Sequence, residues 1–166
     1  MTDIIGRAVA VILLVAVILF GVALFLNTAD SNIQTKLKDD SISFVDSCRG
    51  LGKIDPIELI TYIDKVENCG DFEAVVSVEK TAEYYDETQD RLSHSTTYIA
   101  HKQLLDAIYS SSGQDKPYIL HSGDRIQVEV RRTGAGFTAL FGLIGRGGRE
   151  GDLITSYGGL VLHDGR

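Results

Sequence analysis

The chain has 166 residues, 23 acidic and 16 basic side chains, and a formal net charge of −7. Its mean hydropathy is +0.06 although 23% of its residues are charged, so the apolar residues must be concentrated in one place. The length suits one domain with an appendage and disfavours a large enzyme; the acidic balance argues against a nucleic-acid partner, because such a chain repels phosphate.

Residues Ala8 to Leu26 form 19 consecutive apolar positions, 14 of them Val, Ile, Leu or Phe. Outside this run about 37% of the residues are hydrophobic, an ordinary to low soluble value. At 1.5 Å per residue the run spans close to 30 Å, the thickness of a bilayer's hydrocarbon core. Its strongly apolar residues, at roughly −0.4 kcal/mol each, favour insertion by about 5 kcal/mol. A cleaved secretory signal would carry a shorter stretch of about 7–15 residues and an A-x-A-like exit. Here the exit reads Leu26-Asn27-Thr28-Ala29-Asp30. The expectation is an uncleaved transmembrane helix over 8–26, with residues 1–7 as a short lead. Arg7 and the α-amino group lie before the run, and no basic residue follows it until Lys36. The positive-inside bias then places the amino terminus in the cytoplasm and the body outside.

No Pro or Gly interrupts Asp30 to Cys48. Ile33, Leu37, Phe44, Val45 and Cys48 fall on one helical stripe, with the charged residues mostly off it. The spacing predicts one helix from Ile4 to Cys48, about 65 Å long, that ends at Arg49-Gly50-Leu51-Gly52. A second helix begins with Asp55 as cap and Pro56 in the first turn, and puts Ile57, Leu59, Ile60, Ile63 and Val66 on its apolar side. Residues 27–70 thus form a helical stalk and hairpin. Cys48 and Cys69, 21 positions apart, are the only cysteines. They are either a disulfide closing the hairpin or two unpaired thiols; no zinc spacing involves them.

Residues 71–166 read as an antiparallel sheet head. Phe72, Ala74, Val76 and Val78 alternate with more polar residues as a strand does. Glu83 to Ser95 reads as a loop or solvated hairpin, and Thr97 to Tyr109 as a short helix. Tyr118 to Leu120 suggests a short strand, Arg125 to Arg132 a clear one, and Leu153 to Leu162 a last one bulged at Gly158-Gly159. The fold class is α+β: a transmembrane helix extended as an amphipathic stalk, packed on a small antiparallel sheet with short helices.

Chemistry-bearing motifs are sparse. Gly134-Ala135-Gly136-Phe137-Thr138-Ala139 matches a dinucleotide fingerprint in letters, but no parallel βαβ pattern surrounds it. Phe137, Leu140, Phe141 and Ile144 fall instead on one helical face. They read either as a core-packing insertion or as an exposed patch for a partner subunit or a membrane surface. His94, His101, His121 and His163 match no metal spacing, and no nucleophile elbow or S-x-x-K occurs. No catalytic, cofactor-binding or metal-binding residue is assigned, and no enzyme, cofactor or small-molecule substrate is expected.

The order of lead, apolar helix, amphipathic stalk and terminal antiparallel sheet resembles type IV pilin-like subunits. The segments Asn27-Thr28-Ala29-Asp30-Ser31-Asn32-Ile33-Gln34, Phe44-Val45-Asp46 and Gly52-Lys53-Ile54-Asp55-Pro56 resemble, more narrowly, TadE-like minor pilins. That resemblance implies a non-enzymatic subunit of a tight-adherence pilus or related secretion machine, held in the cell membrane or built into an extracellular filament. Its implied partners are membrane lipid and other pilin-like or platform subunits, with Ile33, Leu37, Phe44, Phe137, Leu140, Phe141 and Ile144 as the candidate assembly face. The alternative is a membrane-tethered binding or sensor module that does not polymerise. The chain departs from the pilin pattern in one respect. Such proteins are typically cut after a Gly with a Glu five residues on, whereas Gly6 is followed by Arg7, and Val11 holds the fifth position.

Overall fold

The computed structural model describes residues 2–86, 91–109, 115–134 and 151–165. Phe137, Leu140, Phe141 and Ile144 lie outside the described residues, as do Arg146 and Arg149.

One helix, α1 (Thr2–Leu51), carries the apolar run and the stripe without a break. It is long and apolar enough in its first half to cross a membrane. Every described side chain from Gly6 to Val22 is exposed, and Phe25 is 72% exposed. The second half behaves differently. Leu37, Phe44, Val45 and Cys48 are buried, and half-buried Ile33 packs at the margin of the same core.

Gly52 ends α1 with φ +65°, a left-handed turn that suits a residue without Cβ. The space is closed as well, since a Cβ there would run into the backbone of His163 to Gly165. Strand β1 (Lys53–Ile54) follows, then α2 (Pro56–Glu67). Asp55 caps α2 by accepting the Ile57 N–H at 2.9 Å, and Pro56 occupies its first turn, where its missing N–H costs nothing. The buried residues of α2 are Pro56, Leu59, Tyr62 and Val66. Ile57 and Ile60, expected to face inward, are 75% and 50% exposed. Tyr62 takes the inward place because its hydroxyl finds a buried partner on α1.

The main sheet has the order β3-β2-β5-β6 and is antiparallel at every pairing among the described residues. β2 (Phe72–Asp86) pairs with β3 (Arg91–Ile99) on one side and β5 (Arg125–Arg132) on the other. β6 (Leu153–Leu160) pairs with β5. Ala74, Val76, Val78, Ile126, Val128 and Val130 form the inner face. α1 packs over β5 and β6, and α2 over β2. The irregular register in β5–β6 sits between Val130 and Arg131, whose partners are Thr155 and Leu153. It is not at Gly158-Gly159. Those glycines instead admit close neighbours: a Cβ on Gly159 would strike the Arg49 side chain at 2.7 Å.

Two expectations along the sheet fail in an informative way. Glu83 to Ser95 is strand-paired wherever it is described, with Glu83 opposite His94 and Ala82 opposite Ser95. β5 reaches only to Glu79, so this part of the β2–β3 ribbon has no third strand. Residues 97–99 continue β3, and the helix α3 begins only at His101 and ends at Ile108. A small second sheet joins β1 to β4 (Tyr118–Ile119) at the end of the head farthest from the apolar run.

Candidate interaction surface

Two contacts fix the head on the upper half of α1. At its lower end Asp30, four residues beyond Leu26, accepts a hydrogen bond from Arg132 Nη2 at 2.9 Å. Arg132 is only 4% exposed in its side chain and lies over the Phe72 ring at 5.1 Å. Its Nε has no hydrogen-bond partner among the described residues, so Asp30 supplies the charge that this buried guanidinium requires. At the upper end Arg49 Nε donates to the Leu160 carbonyl at 2.7 Å, and its Nη1 reaches Asp46 at 2.8 Å.

Between these ends the α1–α2 hairpin is fastened by a short polar chain. Ser41 Oγ lies 2.7 Å from the Leu37 carbonyl, to which its single proton goes, and 2.8 Å from the Tyr62 hydroxyl. Tyr62 therefore donates to Ser41. The Tyr62 and Phe44 rings stack, with centroids 4.6 Å apart. Burial, with Asp40 nearby, pushes the Tyr62 hydroxyl up to about 12. Beside the stack is an open notch of about 150 Å³ lined by Asp40, Ser43, Glu58, Thr61 and Lys65.

The hairpin register also decides the cysteines. Cys48 is buried where α2 begins, where Glu58 and Asp55 act on it, and burial above all pushes its thiol well up. Cys69 lies beyond the other end of α2. The two are separated by roughly 16 Å of helix, far beyond the about 7 Å between Cα atoms that a disulfide tolerates. Both are free thiols, so the disulfide reading is corrected.

Leu37 and Phe44 are consumed by the chain's own core rather than offered to a partner. What α1 leaves uncovered is the apolar run. His101, a residue with no assigned role in the sequence, closes the sheet edge: its Nδ1 accepts the Val76 N–H at 3.1 Å. β3 stops at Ile99, opposite Val78, so an imidazole takes the place of the next strand. The fingerprint glycine Gly134 follows an antiparallel strand, which is not the parallel unit that a dinucleotide site needs. No group of three or more His, Cys, Asp or Glu among the described residues is placed to hold a metal ion.

No family model, curated protein or solved structure matches the chain.

Proposed function

We propose that this protein is a non-enzymatic structural subunit, anchored by the first half of α1 in the cell membrane with its head outside, that works in a pilus-like assembly or secretion machine. The observation that carries the reading is the unequal use of α1. Its upper half is built into the head, while from Gly6 to Val22 the lower half is an exposed apolar cylinder with no described residue of the head against it. Such a surface is stable in lipid or against other apolar helices. The pilin-like order of elements and the TadE-like segments give the assembly class. The run carries no acidic residue, so packing of α1 against its neighbours in this reading does not depend on a buried Glu.

A photo-crosslinking amino acid at Leu13, Val17 or Leu24 tests this in the producing cells. The reading expects discrete crosslinks to a second copy or to other membrane subunits. Lipid adducts alone, at all three positions, would sink the assembly role and leave a tethered monomer. One observation favours that second reading, a binding module. The ribbon around Glu83 and His94 continues past β5 with Thr81 to Glu83 and His94 to Thr97 exposed, the shape of an arm that meets a ligand.

A further inference from the structure

The rigid attachment of the head fixes its height above the end of the apolar run. Asp30 follows Leu26 by four residues, roughly 6 Å along the helix. The headgroup layer is of comparable depth, about 5–8 Å on each side of the hydrocarbon core. Arg132, held by Asp30, sets this level on the sheet. Its backbone N–H donates to the Asp152 carbonyl at 3.0 Å and its carbonyl accepts from Gly151 at 2.7 Å. Thr133 N–H donates to the Asp71 carbonyl at 2.9 Å, and Arg131 is paired with Leu153. The described residues 131–134, 151–153 and Asp71 therefore share one rim at the level of Asp30. Leu153, on that rim, is 55% exposed and apolar. The opposite end of the head lies some nineteen residues farther up α1, roughly 28 Å away, where Leu162 N–H donates to the Arg49 carbonyl.

We propose that this rim is a membrane-contact surface, seated in the phospholipid headgroup layer of the bilayer that holds α1, with Leu153 directed into that layer. The inference rests on the reading of α1 as a membrane anchor and adds a second, interfacial contact to it. Among the described residues the contact is not a basic patch. Arg131 is engaged by Glu129 at 2.6 Å, and Asp71 and Asp152 lie on the same rim. The described rim residues carry no excess positive charge, so the partner proposed is the zwitterionic headgroup layer.

The chain has no Trp, so single Trp substitutions report without background. Three exposed positions suit it: Phe20→Trp in the run, Leu153→Trp on the rim and Leu162→Trp at the far end. The full-length variants are placed in phosphatidylcholine vesicles, with a nitroxide on the lipid headgroup or bromines at mid-chain. The expected result is strong mid-chain quenching at position 20. At position 153 headgroup quenching is expected to reduce emission at least about twofold, because the site lies within a headgroup's thickness of the hydrocarbon. Position 162 should be unchanged by either quencher. Equal headgroup quenching at 153 and 162, with position 20 quenched, would overturn the rim contact and leave the anchor standing. An unquenched position 20 would overturn the anchor and the rim contact together.

Discussion

The two halves of α1 are one helix with two different surfaces. From Gly6 to Val22 every described side chain is exposed, and apolar residues occupy the whole circumference. From Ile33 to Cys48 the apolar residues narrow to a stripe, and that stripe is buried against the sheet and α2. The backbone is the same in both; the width of the apolar surface decides what covers it. A full cylinder suits lipid or neighbouring helices, whereas a stripe suits a single packed face.

The largest expected effect breaks the comparison at Leu37. Leu37→Asp puts an unpaired carboxylate at a fully buried position and should abolish folding of the head, at a cost above about 4 kcal/mol. Val17→Asp, in the lower half, should leave the thermal unfolding of the detergent-solubilised head unchanged. It should instead raise the fraction of protein released from membranes on alkaline extraction, since Asp at a bilayer's centre costs about 3 of the about 5 kcal/mol that favour insertion. Reversed outcomes would mean that the two halves have been assigned to the wrong solvents.

The second effect tests the junction. Asp30→Ala strands the buried Arg132 guanidinium. Full burial of both partners would cost about 3–5 kcal/mol; with Asp30 a quarter exposed, roughly 2 kcal/mol is expected in denaturant unfolding. Adding Arg132→Met should recover most of that loss, because no charge is then left buried.

The third is a pH effect confined to the upper half. Cys48 and Tyr62 are both raised in the fold, so the unfolded chain gives up these protons first. Stability from this source is complete below about pH 8.5, the ordinary thiol value. It falls as pH rises through the thiol range and, from about 10, through the phenol range toward 12. Thermal melts between pH 8 and 11 should show a falling midpoint, and Cys48→Ala should remove the earlier part of the slope. In the same preparation a maleimide should label Cys69 in the folded protein and Cys48 only on unfolding, since a single buried thiolate-poor sulfur is inert.

The smallest effect is Tyr62→Phe. It keeps the Phe44 stack and leaves Ser41 bonded to the Leu37 carbonyl, so a loss of about 1 kcal/mol is expected in the same unfolding assay.

What could be read in the sequence follows from the range of the interaction. The α1 stripe, the Asp55-Pro56 start of α2, and the alternation at Phe72–Val78 and Ile126–Val130 are local patterns, and all appear in the fold. The β2–β3 ribbon was illegible because its described residues beyond β5, Thr81 to Glu83 and His94 to Thr97, are exposed at successive positions, so no alternation marks them as strand. Ile57 and Ile60 misled because hydropathy cannot tell which apolar side of a short helix wins, and the buried Ser41–Tyr62 hydrogen bond decided it. β1 is two residues long, too short for any period, whereas the equally short β4 lies within the strand expected at Tyr118 to Leu120. Asp30 and Arg132 stood in the sequence as ordinary charges; a partnership across 102 positions carries no local signal. The cysteine pair failed for the opposite reason. The hairpin exists, but its register sends the two thiols to opposite ends of α2.

The central claim is that α1 is one unbroken rod from the apolar run into the head, locked at Asp30. Amide hydrogen exchange of the full chain in phospholipid nanodiscs tests it most directly over residues 22–36. The account predicts continuous slow exchange through Asn27 to Ile33, with Asp30→Ala loosening this stretch before any other part of the helix. Fast exchange at Asn27 to Ser31 in the unmodified protein, flanked by protection on both sides, would show a hinge there and contradict it.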